Sequence, residues 1–109
     1  MRNLIGTFLV VCLVFAIPAA AAAKGDAVAG KTLFVSKCAT CHGAAGEGKD
    51  AIAKMLKVTL KHLGDKEVQA KDDAALKKDI TSGNGKMKAV PLSDTEVANV
   101  IAYVRTLKK

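Results

Sequence analysis

Tryptophan is absent from the 109 residues, tyrosine occurs once, and aromatic side chains make up only 4% of the chain. Two of the three phenylalanines, Phe8 and Phe15, lie in an N-terminal apolar run, so Phe34 and Tyr103 are the large rings left for a soluble core. With turn-spaced β-branched runs also missing, an aromatic-rich β-sandwich is excluded. So are nucleic-acid surfaces that depend on stacked bases. The chain is too short for a large enzyme with its own substrate cleft, and we expect no enzymatic activity. Charge is missing from residues 4–23, and every acidic residue lies beyond position 25. Disorder is excluded by apolar residues that recur at helical spacing as far as the C-terminus.

The uncharged stretch has an order of its own. A basic Met1-Arg2-Asn3 start leads into the apolar run Leu4–Ile17, then Pro18 and the small residues Ala19–Ala23. That is the three-part pattern of a secretory signal peptide, and we expect residues 1–23 to be cleaved and the domain to occupy 24–109. The alternative is an uncleaved anchor, since 20 residues could span a bilayer, and only then would the protein be held at a membrane. Removing 23 of the 109 residues leaves 86, few for a self-sufficient hydrophobic core. The remainder keeps 16 of the 17 basic and all 10 acidic residues, a formal charge of +6, with Cys38 and Cys41 as its cysteines. Two cysteines three apart close no useful loop, so something other than disulfides must supply the missing core.

Helical signals dominate residues 24–109. Asp26 can cap a first helix over about 27–40, in which Gly30, Phe34, Cys38 and Cys41 share a face. Gly43–Gly48 reads as a loop. Apolar residues at 52, 55, 56, 60 and 63 predict one or two short helices in 50–63. Asp72 or Asp73 can cap a helix that Gly83 stops. Ser93 and Glu96 form a capping box for a last helix to about Leu107, apolar at 97, 100, 101, 104 and 107. The expectation is an all-α domain of three to four helices.

Cys38-Ala39-Thr40-Cys41-His42 carries the chemistry. C-x-x-C-H is the attachment sequence for c-type haem. Two thiols three residues apart on a helical turn can add to the two vinyl groups of one porphyrin, and the adjacent imidazole can reach the iron. A single covalent haem c would also provide the burial that the short chain lacks. Three other readings compete. A thioredoxin-like redox pair needs a βαβ context. A zinc site would have to recruit His62 to Cys38, Cys41 and His42. A Cys38–Cys41 disulfide is sterically poor on a helix.

Beyond the motif, the chain resembles the small bacterial class I cytochromes c. Gly30-x-x-x-Phe34 is similar to that family's first helix, Ser82-Gly83-Asn84-Gly85-Lys86-Met87 to its glycine-rich ligand loop, and Val100-Ile101-Ala102-Tyr103-Val104 to its last helix. The resemblance implies helices wrapped around one haem, with the first and last crossing near Gly30 and Tyr103. It implies haem held by Cys38 and Cys41 and iron ligated by His42 and Met87. Two positions differ from the family pattern. Lys88 follows Met87 where proline is usual, and the stretch Gly48-Lys49-Asp50-Ala51 lacks the proline whose carbonyl usually orients the proximal histidine. Any carbonyl could accept that bond. Met55, His62 or no residue at all are the alternatives for the sixth position. Met55 is expected to pack in the core and His62 to be at or near the surface.

These readings imply a monomeric periplasmic carrier of single electrons that meets redox proteins through acidic docking surfaces, steered by its lysines. A haem-bearing subunit of a larger periplasmic dehydrogenase or oxidase complex, and a sensory haem protein with an open sixth position, are the alternatives.

Overall fold

The structure, a computed structural model, describes residues 25–109, so the expected signal peptide lies outside the described residues. Helices α1 (Ala27–Lys37), α2 (Ala39–His42), α3 (Asp50–Leu56), α4 (Lys66–Gln69), α5 (Asp73–Ser82) and α6 (Asp94–Thr106) follow in order. Among the described residues there is no strand; Asn84 and Met87 form an isolated antiparallel bridge. No described helix is long and apolar enough to cross a membrane.

The caps fall where side-chain chemistry puts them. Asp26 accepts from the amides of Val28 and Ala29 at 2.9 and 3.3 Å. Asp72 accepts from Ala75 N at 2.8 Å. Both bonds of the Ser93–Glu96 box are made. Each satisfies amides that have no partner inside the helix.

The helix count is six rather than three to four, and the differences have physical causes. The first helix does not run on to residue 40. It breaks at Cys38, where Cys41 N turns back to Cys38 O at 3.3 Å and α2 begins as a single turn. The stripe in 50–63 yields one helix that ends at Leu56. Lys57 takes a left-handed conformation (φ 56°, ψ 47°), and Val58 N reaches back to Ala53 O at 3.0 Å. This is a Schellman-type stop with lysine where glycine is usual. Helix α4 has four residues, too few to show a periodic stripe.

The core sits where α1 crosses α6. Phe34, Val97 and Val100 are its most buried side chains, joined by Leu76, Ile80, Ile101, Tyr103 and Val104. Gly30 makes the crossing possible. A Cβ there would lie 1.8 Å from Asn99 O and 2.4 Å from Asn99 C. The contact therefore falls at Asn99–Val100, one turn before Tyr103. Tyr103 stacks on Phe34 instead, with ring centroids 5.2 Å apart and planes tilted by 59°, a geometry worth about 0.5–1.5 kcal/mol beyond area burial.

The chain between α3 and α5 is stapled to α6 by two polar side chains. Gln69 Nε2 donates to Leu63 O (2.8 Å) and Val104 O (3.0 Å). Arg105 donates to Gln69 O (2.8 Å), Lys71 O (2.6 Å) and the Asp73 carboxylate (2.8 Å).

Gly30→Ala tests the crossing. In a free helix this change gains about 1 kcal/mol. At the crossing the methyl meets backbone that cannot move aside, and overpacking of this kind costs about 1–3 kcal/mol. Chemical denaturation of the holoprotein should show a net loss of stability of up to about 2 kcal/mol. Alanine at the exposed Ser36 on the same helix should leave stability unchanged or slightly raised.

Candidate functional site

Cys38, Cys41 and His42 lie on the tight turn that follows α1. His42 N donates to Cys38 O at 3.0 Å and Gly43 N to Ala39 O at 2.9 Å. The 43–48 loop then folds back on the turn. Gly48 N donates to His42 O at 2.6 Å and Lys49 N to Cys41 O at 2.9 Å. The motif is thus locked from behind by main-chain bonds while its three reactive side chains remain half-buried. Tyr103 joins this turn to the core, because its hydroxyl donates to Ala44 O at 2.8 Å, two residues past His42.

Both cysteines are free thiols, so the disulfide alternative is not formed. Burial pushes the Cys38 thiol up from its ordinary pKa, which disfavours its thiolate form. Among the described residues no three His, Cys, Asp or Glu side chains gather around a point that could hold a metal ion. His62 therefore does not complete a zinc set with Cys38, Cys41 and His42. Its Nδ1 accepts instead from Gly64 N at 2.8 Å, a local turn contact.

His42 behaves differently from His62. Burial lowers its pKa, which keeps the ring neutral near pH 7. Its Nδ1 is buried without a hydrogen-bond partner among the described residues. In the stretch that lacks the family's proline, Lys49 O accepts from Ala53 N (3.0 Å) in α3 and not from the ring. Buried ring nitrogens are costly to leave unpaired. A neutral imidazole with unspent bonding capacity, beside two free thiols on one turn, fits a covalent haem and its iron.

Met87 and Met55 part clearly. Met87 lies in the loop between α5 and α6, half-buried, and packs against the core cluster, as Cys38 does. Met55 was expected in the core, yet it is 69% exposed on α3, a helix that buries none of its residues. The early stop at Lys57 cuts the stripe to which Met55 belonged, so the stripe never gains a partner surface. Leu33, Leu56, Leu60, Leu63 and Val90 are half-buried, as an apolar lining open to a flat cofactor requires, whereas Ile80 belongs to the core itself.

The sequence reading did not find the hydroxyl bond of Tyr103 or the polar contacts around Asn84. The Tyr103 bond spans 59 positions, whereas the Asn84 contacts reach only five residues back, around the end of α5. No local pattern signals the Tyr103 pair.

Comparisons with known proteins agree with this geometry. Residues 27–108 match the sequence profile of the family described as Cytochrome c. Cytochrome c-554(547) of Halothiobacillus neapolitanus is 37% identical over 90 residues, which is 77% of this chain and 99% of that protein. Cytochrome c6 of Picosynechococcus sp. (strain ATCC 27264 / PCC 7002 / PR-6) is 36% identical over 104 residues, 90% of this chain and 85% of that protein. The solved structure of the KustC0563 c-type cytochrome superposes with a TM-score of 0.63 at 28% identity, over 73% of this chain and 98% of its own. The profile match runs from the start of α1 past the end of α6, and the likeness takes in both the attachment turn and the helix crossing that supports it. The chain accordingly belongs to the cytochrome c family, as a small monohaem class I electron carrier with covalently bound haem c.

Proposed function

We propose that this protein is a periplasmic shuttle for single electrons, released from its signal peptide after residue 23, with haem attached through Cys38 and Cys41 and iron held by His42 and Met87. The observation that carries the reading is the attachment turn, which brings the free thiols of Cys38 and Cys41 and the half-buried imidazole of His42 onto one tight turn. Once bound, the haem supplies one-electron exchange between ferrous and ferric iron.

The chain's own residues do the rest. Cys38 and Cys41 would hold the haem, and His42 offers the iron a neutral nitrogen because its surroundings are poorly solvated. Met87 offers a thioether from the α5–α6 loop. Its half-burial against the core supports it over Met55, which is solvated, and over His62, whose Nδ1 is occupied. Thioether ligation favours the reduced state and raises the potential. The half-buried Leu33, Leu56, Leu60, Leu63 and Val90 would line the haem site and exclude water there.

Lys86 and Lys88 flank Met87. Both are exposed, and neither belongs to the five ion pairs among the described residues. Unpaired charge beside the ligand loop favours encounter with an acidic face of a redox protein. The protein acts as a monomer in this reading.

Mass spectrometry of the protein matured in a host able to attach c-type haem should give the chain from about residue 24 plus one haem. Cys38→Ala with Cys41→Ala should give the bare chain.

Ferric protein should show the weak far-red sulfur-to-iron band. Met87→Ala should abolish it and let carbon monoxide bind the reduced form, whereas Met55→Ala should leave both unchanged.

Stopped-flow exchange with an acidic redox protein should be fast at low salt. It should slow as the Debye length falls to about 8 Å at physiological ionic strength. Lys86→Glu with Lys88→Glu should lower the low-salt association rate about tenfold, with a much smaller change in potential.

A further inference from the structure

The Met87 loop has no proline between Gly83 and Val90 and no helix of its own. Its closure depends on a few contacts. The far end is tied to α5 by Val90 N donating to Ile80 O at 2.8 Å. The near end is tied through Asn84, which grips in two directions. Its main chain exchanges two bonds with Met87: Asn84 N donates to Met87 O at 3.0 Å, and Met87 N donates to Asn84 O at 2.9 Å. Its side-chain Nδ2 donates to Asp79 Oδ1, on α5, at 3.1 Å. Gly85 completes the turn at φ +57°, and the turn folds back on Gly83, where a Cβ would lie 2.6 Å from Met87 O.

Asp79 is itself held in place. Its other oxygen, Oδ2, accepts from Lys71 Nζ at 2.8 Å, and its side chain is only 24% exposed. Lys71 is pinned in turn, since its carbonyl accepts from Arg105 Nη2 at 2.6 Å. A continuous polar chain therefore runs from α6 through Lys71, Asp79 and Asn84 to the main chain of Met87. Exposed ion pairs alone contribute little. A carboxylate with one oxygen committed to a lysine and the other to an amide has far less freedom than either pair alone, and hydrogen bonds to charged acceptors are the stronger ones.

We propose that Asp79 and Asn84 are positioning residues that latch the Met87 loop to α5, so that the sixth coordination position opens to other ligands when their contact breaks. This rests on Met87 being the sixth ligand. The latch sets how often the loop opens, not whether Met87 can bind.

The test uses exogenous imidazole as a competitor for the sixth position of the ferric holoprotein. Asp79→Ala and Asn84→Ala should each raise the imidazole association rate and affinity roughly fivefold, as expected for loss of one solvent-exposed hydrogen bond. The double variant should be no faster than either single one, because both remove the same contact. Asp79→Asn keeps an acceptor oxygen for Asn84 and should fall between Asp79→Ala and the unsubstituted protein. Lys77→Ala is the structural control. It breaks another 2.8 Å ion pair of α5, with Asp94, away from the loop, and should leave imidazole binding unchanged. The far-red sulfur-to-iron band should persist in all five variants. Imidazole binding unchanged in both single variants, or effects that add in the double variant, would overturn the latch. Absence of the far-red band from the unsubstituted protein, or its survival in Met87→Ala, would instead overturn the Met87 reading on which the latch rests.

Discussion

The contact of Gly30 with the Asn99–Val100 backbone is the constraint on which the rest of the domain depends. With no side chain at position 30, α1 and α6 approach until their main chains nearly touch. Phe34, one turn along α1, is then buried against Val97, Val100 and the ring of Tyr103. Cys38 lies a further turn along the same face and so meets the edge of that core. The attachment turn owes its place to a spacing of four residues repeated from Gly30, and the precision of the spacing is set by helix geometry.

Polar contacts divide the molecule into two parts. All five ion pairs among the described residues join partners within 61–109: Lys61–Glu67, Lys71–Asp79, Lys77–Asp94, Arg105–Asp73 and Lys109–Asp65. With Gln69 and Arg105 they fasten the short helices α4 and α5 to α6. On α1 and around the attachment turn, order comes instead from main-chain bonds, apolar packing and the uncharged or capping contacts of Asp26 and Tyr103. Among the described residues, no lysine there belongs to an ion pair. A strongly basic protein can in this way be internally neutralised where it needs cohesion and unscreened where it meets other molecules.

What could be read without the fold was whatever local chemistry dictates. Asp26, Asp72, Gly83 and the Ser93–Glu96 box announce helix ends because the unpaired amides and carbonyls there need partners within a few residues. The attachment motif is equally local. Gly30 and Tyr103 were also visible, as a small residue and a ring on helical faces, although the helices meet one turn earlier than Tyr103. The stripe through Met55 misled, because periodicity shows which residues could share a face and not whether a partner surface exists. Lys57 adopting a left-handed conformation ended that face early, and nothing about a lysine signals it. The link from Tyr103 to Ala44 was invisible for another reason: side-chain partners chosen by tertiary geometry leave no spacing rule behind.

The helix that leads into Cys38 has its main packing partner at the other end of the chain. Helix α1 ends at Lys37 and α6 does not begin until Asp94, so closing this contact carries the entropic cost of a long loop and comes late in folding. Until α6 arrives, Phe34 has no ring to stack on and the turn bearing the thiols has no hydroxyl from Tyr103 to hold it. Both of these supports for the segment bearing the cysteines come from residues near the end of the chain. The order of elements along the chain is a timetable for folding as well as a map of the fold.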